Sequence, residues 1–246
     1  MKIKTAKSSV SGTVTIPGSK SHTVRGVVFG ALANGTSVLR NPLDSSDTNA
    51  AVTAYSAFGA EIAKTSDTWR ITGTGLPALP GAAVDVQNSG TTLYIALATA
   101  ALCKGTTILT GDHQIRKRPA GPLLSALESL GARAEASGGS GCPPISITGP
   151  MRGGTATVDC PTSQYLSRLL INCPLAAEDS EIRVTRLFEA PYVRMTLNWL
   201  DELGIKYRRD GLEKFTVPGE QQYRAFEKTI PRSEEHTSEL QSLLII

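Results

Sequence analysis

Lys20, Ser21 and Arg25 lie close together in the stretch IPGSKSHTVRG, Ile16 to Gly26, with Arg25 one helical turn after Ser21. A Pro-Gly turn delivers them to what reads as the mouth of a helix. Two further polar turns, VQNSGTTLY (Asn88, Gly90) and CPTSQYLSR (Thr162, Ser163, Gln164), also precede apolar runs. Hydroxyl and amide side chains at such places serve first as N-caps. Their recurrence three times, once with two cations, favours a shared mouth as well. Free helix N–H groups and the positive end of the helix dipole there suit a phosphate or carboxylate. A fourth stretch, GDHQIRKRPAG, sets Arg116, Lys117 and Arg118 before Pro119. A run of cations is ordinarily solvated. Here Pro119 fixes the backbone beside Arg118, and a guanidinium held at one point suits planar oxyanion recognition.

The elements that must position these residues repeat. AYSAFGAEI, ALESLGARAE and WLDELGIKY are helical patterns stopped at Gly59, Gly131 and Gly204, about 72 residues apart. NGTSVLRNP, KGTTILTGD and EDSEIRVTR each follow an Ala/Leu-rich helix and read as strands; WRITGTG, PISITGP and KFTVPGE read as short closing strands. The fold class expected is α/β: three helix-strand-helix-strand-strand units, over about residues 14–80, 81–152 and 153–220. The helices at Val24–Ala33, Gly90–Cys103 and Ser163–Ala177 are apolar nearly all round, so they are buried. The second helices, such as Leu123–Leu130, are amphipathic and lie outside. Buried helices that run parallel bring their starts, and the polar turns, to one end.

The whole chain sets bounds on this. Its 246 residues suffice for a sizeable core, with 40% hydrophobic and 19% charged residues. No apolar run approaches the roughly 18 residues of a membrane span, and MKIKTAKSSVSG lacks a signal-peptide stretch, so a cytoplasmic location is expected. The four cysteines are scattered and read as reduced thiols; the three histidines have no metal-ligand spacing. A formal charge of +3 without a basic stripe interleaved with aromatics favours small anions over nucleic acid. RSEEHTSELQS, Arg232 to Ser242, departs from everything before it and matches the translation of a common sequencing adapter. Residues 232–246 are therefore expected to be non-native.

PGSKSHTVR, QNSGTT, TGDHQIRKRPAG with ALESLGA, SQYLSRLL and APYVRMTLNWL, taken in order, resemble the first half of the 5-enolpyruvylshikimate-3-phosphate synthase family, from about residue 3 to Pro231. The resemblance implies one domain (14–231) of a two-domain, inverse α/β barrel-like fold, with residues 1–13 a strand segment of a second domain. It implies transfer of the enolpyruvyl group of phosphoenolpyruvate to the 5-hydroxyl of shikimate 3-phosphate, with phosphate released. This step belongs to aromatic amino-acid biosynthesis and is the target of glyphosate. The enzyme is then a monomer without cofactor, metal, nucleic-acid or membrane partner. Lys20, Arg118 and Gln164 are implied as catalytic. Lys20, Ser21, Arg25, Thr162, Ser163, Gln164 and Tyr192 would hold shikimate 3-phosphate; Lys20, Asn88, Gly90, Arg118 and Gln164 would hold phosphoenolpyruvate. Two positions depart from the family: Tyr94 replaces an arginine, and Glu189 replaces a serine that contacts the phosphate. The family's proton-transferring Asp and Glu lie in the second domain, so this chain alone is expected to be inactive. Two alternatives are a non-catalytic anion-binding fragment and UDP-N-acetylglucosamine enolpyruvyl transferase. Against the latter, Ser21 rather than Asn follows Lys20, and GDHQIRKRP has no cysteine.

Overall fold

Ser19, Ser45 and Ser89 each accept a hydrogen bond from a backbone N–H three residues on, and each starts a helix. These are α1 (Lys20–Ala31), α2 (Ser46–Ala57) and α3 (Gly90–Ala100). α4 (Gly121–Ser129) and α6 (Ala190–Glu202) start instead with proline in the first turn, where its missing N–H costs nothing. α5 (Gln164–Asn172) follows Ser163, whose side chain makes no capping bond. The computed structural model describes residues 11–138 and 141–232, and it places these helices within three sheets.

The second sheet runs β4 (Val84–Asp85), β5 (Thr106–Thr110), β7 (Cys142–Thr148), β6 (Arg133–Gly138); the third runs β8 (Gly154–Cys160), β9 (Ser180–Leu187), β11 (Lys214–Val217), β10 (Arg208–Asp210). In both, the strand before the buried helix pairs parallel with the strand after it, and the other pairs are antiparallel. The first sheet has the same plan, with β1 (Ala33–Arg40), β3 (Thr68–Thr74) and β2 (Glu61–Lys64). Its parallel partner comes from the far end of the chain: β12 (Tyr223–Arg224) and β13 (Glu227–Thr229) lie along β1, pairing Ala33 with Tyr223 and Val38 with Glu227.

Each unit thus carries more strands than its landmarks announce. β2 and β10 are short and almost wholly exposed, with charged residues and no apolar alternation to mark them. The first buried helix starts at Lys20, four residues before the expected Val24, so Lys20 and Ser21 lie on it. The third stops at Asn172, short of the expected Ala177, because Pro174 cannot continue it and a 3-10 turn, Cys173–Leu175, follows. Residues 1–10 and 233–246, which hold most of the expected leading strand and adapter-like tail, are outside the described residues.

Beyond their first turns, α1, α3 and α5 are buried on every side, whereas α2, α4 and α6 keep one exposed face. Among the apolar packing runs a polar thread. Tyr55 Oη donates to Thr99 Oγ1 (2.7 Å), Thr99 Oγ1 to Asn172 Oδ1 (3.0 Å), and Asn172 Nδ2 to the Arg168 carbonyl (2.9 Å). It ties α2, α3 and α5 together. Among the described residues, no helix is long and apolar enough to cross a membrane.

Candidate anion-binding active site

The starts of the three buried helices meet at one cavity of about 190 Å³. α1 contributes Lys20, Ser21 and Arg25, α3 contributes Thr91, and α5 with its leading residue contributes Ser163, Gln164 and Arg168. Glu189 and Tyr192, from the start of α6, close the ring. Convergence follows from the repeat: equivalent helices enter equivalent lobes, so their polar N-terminal ends face one another.

Arg25 is 4% exposed and clamped. Nε donates to Thr196 Oγ1 (2.9 Å), Nη1 to the Ser21 carbonyl (3.1 Å) and Nη2 to the Tyr192 carbonyl (3.1 Å). Stacking of Phe29 on Trp199 (centroids 5.3 Å apart), with Tyr223 edge-on to Phe29, fixes α6 against α1 and so fixes the clamp. The Lys20 ammonium lies 3.5 Å from Asp47 Oδ2, at the start of α2, and both side chains are partly exposed. Asp47 holds Lys20 at the rim loosely enough for a ligand to compete.

At α5 an anionic group is already in place. Glu189 Oε2 accepts from the Thr162 hydroxyl (3.2 Å), the Ser163 hydroxyl (3.1 Å) and the Ser163 N–H (3.3 Å). Glu189 itself has φ +57°, a left-handed backbone that a side-chain-bearing residue adopts at a cost. So the carboxylate does not turn away from this donor set: it fills it, and the Ser163 that makes no N-cap is engaged here instead.

At α3 the arrangement is reversed. Gly90 begins the helix, and a Cβ there would lie 3.2 Å from Arg118 Nη1 and 3.3 Å from Cζ. The Arg118 guanidinium therefore lies close over the helix start, where a side chain at position 90 would press it aside by a few tenths of an ångström. The loop carrying it is anchored from behind. Tyr94 and Tyr165 both donate to the Pro119 carbonyl, at 3.2 and 2.8 Å, with their rings edge to face. Tyr94, which stands where the resemblance expects arginine, is thus a support for Arg118. Burial pushes its phenol pKa up, so it remains a donor at neutral pH.

Of the sequence candidates, Lys20, Ser21, Arg25, Ser163, Gln164 and Tyr192 line the cavity, and Thr162 reaches it through Glu189. Gly90 and Arg118 form a second pair one residue from Thr91. Asn88 is exposed on the preceding turn and does not line the cavity. Arg116, by contrast with Arg118, turns back to the Gly111 carbonyl (3.0 Å). Sequence reasoning missed Asp47, Thr196 and Arg168. Arg168 had a signal, since it is the one charged residue of a buried helix. Among the described residues no cluster of metal-ligating side chains occurs.

Three αβ lobes with their cationic and hydroxyl-bearing helix starts at one mouth define a threefold α/β domain with a candidate site for a small anion. The family profile for EPSP synthase (3-phosphoshikimate 1-carboxyvinyltransferase) matches residues 4–233, and the chain belongs to that family. The 3-phosphoshikimate 1-carboxyvinyltransferases of Ruminiclostridium cellulolyticum and Acetivibrio thermocellus are each 48% identical over 232 residues. Those alignments cover 94% of this chain and 55% of each relative, so the chain spans about half the length of the curated relatives it matches. The crystal structure of EPSP synthase from Acinetobacter baumannii superposes with a TM-score of 0.79 at 26% identity, over 90% of this chain and 50% of that one.

Proposed function

We propose that this chain supplies the substrate-gathering half of an enolpyruvyl transferase that moves the enolpyruvyl group of phosphoenolpyruvate onto the 5-hydroxyl of shikimate 3-phosphate. The hydroxyl oxygen adds to C2 of phosphoenolpyruvate as the hydroxyl gives up its proton and C3 takes one up; C3 then loses a proton as the bond from C2 to the phosphate oxygen breaks, which restores the double bond and releases phosphate. The observation that carries this is the meeting of Lys20, Arg25 and the donors of Ser163 and Gln164 at one cavity, with Arg118 poised over Gly90 beside it. Two polyanions brought together need fixed cations and dipoles on both, which also stabilise the charge developing between them.

In this reading Ser21, Arg25, Thr162, Ser163, Gln164 and Tyr192 hold shikimate 3-phosphate. Arg118, Asn88 and Gly90 hold phosphoenolpyruvate, and Lys20 and Gln164 stand between the two. The whole protein serves aromatic amino-acid biosynthesis as a cytoplasmic monomer. The four cysteines, all buried free thiols, suit a reducing compartment. The remaining half brings the proton-transferring groups and closes over the substrates.

The test is calorimetry of the purified chain with shikimate 3-phosphate, alongside phosphate release with both substrates. Binding that disappears in Lys20→Ala and Arg25→Ala, with no release, is the expected result. Absence of any binding refutes the assignment. Binding of UDP-N-acetylglucosamine in its place overturns the proposed substrate.

A further inference from the structure

Arg168 lies on α5 one turn beyond Gln164, is 1% exposed, and lines the cavity. Its Nη2 reaches Gln164 Oε1 only at 3.5 Å, and its Nε and Nη1 have no hydrogen-bond partner among the described residues. No ion pair among the described residues includes it. The charge that acts on it most is another cation, Arg25. Burial, and then that repulsion, push its guanidinium down to about 9, which leaves it a cation at neutral pH. A buried cation without a counter-charge is destabilising, and each buried donor left unpaired adds to that. The protein supplies the acceptors that tie down Arg25 but none for Nε and Nη1 of its neighbour. Asn172, one turn further on, accepts from Thr99 and donates to the Arg168 carbonyl and makes no hydrogen bond to the guanidinium.

We infer that Arg168 is a substrate-binding residue that receives an oxyanion of the ligand in this cavity, forming with Arg25 a two-arginine floor. The inference rests on the proposed function, and it adds a contact from inside the core to those made at the helix starts. Arg25 is rigid because it is already bonded. Arg168 has open donors because its acceptor arrives with the substrate. The planar fork suits either the ring carboxylate or the phosphate of shikimate 3-phosphate, and the ligands used in the test tell them apart.

The experiment compares the chain with R168M and R168K by calorimetric titration with shikimate 3-phosphate, shikimate and inorganic phosphate, and by thermal melting without ligand. R168M is expected to weaken shikimate 3-phosphate binding at least tenfold while its ligand-free Tm stays equal or rises, since an unpaired buried charge is removed. R168K is expected to retain part of the affinity. A matching loss for shikimate assigns the carboxylate; a matching loss for inorganic phosphate assigns the phosphate. Unchanged affinity in R168M overturns the inference and leaves the proposed function standing. Loss of affinity together with a lowered Tm, not rescued in R168K, overturns it in favour of a packing role. If the unsubstituted chain binds none of the three ligands, both fall together.

Discussion

The starts of α5 and α3 meet the same need in opposite ways. At α5 the donors of Thr162 and Ser163 are occupied by a carboxylate of the protein, Glu189. At α3 a cation, Arg118, lies over a glycine. An anion entering at α3 finds a guanidinium already aimed. One entering at α5 has to displace Glu189, or share the site with it against like-charge repulsion. Equivalent positions in a repeat therefore do not imply equivalent occupancy. The first is a prepared site and the second a substituted one.

The contrast can be broken at either end. The largest effect is expected from Arg118→Ala, which removes charge-assisted bonds of about 1.5–3 kcal/mol and should weaken phosphoenolpyruvate binding by roughly 10- to 100-fold. Titration in the presence of saturating shikimate 3-phosphate measures it, and unchanged affinity would remove Arg118 from the site. Glu189→Ser should act the other way. Relieved of a competing carboxylate, the chain should bind shikimate 3-phosphate about tenfold more tightly; weaker binding would show that Glu189 helps the ligand. Gly90→Ala forces Arg118 aside by only tenths of an ångström, so about 1 kcal/mol, or roughly fivefold, is expected for phosphoenolpyruvate and nothing for shikimate 3-phosphate. Tyr94→Phe should be smallest. The Pro119 carbonyl keeps its bond from Tyr165, and the loss is about 0.5 kcal/mol of stability, read in a melting curve. Adding Tyr165→Phe leaves that carbonyl without either phenol and should cost more than the sum of the two single changes.

Much of this was legible in the residues. Gly59, Gly131 and Gly204 stop α2, α4 and α6 or follow them closely, and that spacing is enough to reveal three units. The polar turns before apolar runs announce the mouth, because a buried helix start must be capped and its side chains are read in sequence. What stayed hidden depends on partners distant in the chain. β2 and β10 are strands only because β3 and β11 pair with them. Asp47 matters through Lys20, and Thr196 through Arg25. For Glu189 the conflict is visible in the residues but its outcome is not, since nothing local says that α6 is preceded by a left-handed residue aimed at Ser163.

The first sheet has a consequence for the order of assembly. β1 is made early, yet the strands along its parallel edge, β12 and β13, are near the end of the described chain. On a ribosome, the second and third lobes have all their strands in hand before the first does. Until Tyr223 to Thr229 emerges, β1 presents an open row of backbone donors and acceptors, the kind of edge that invites pairing with a neighbouring chain. The lobe synthesised first is completed last, so the stretch that carries Lys20 and Arg25 is seated only when the chain returns to it.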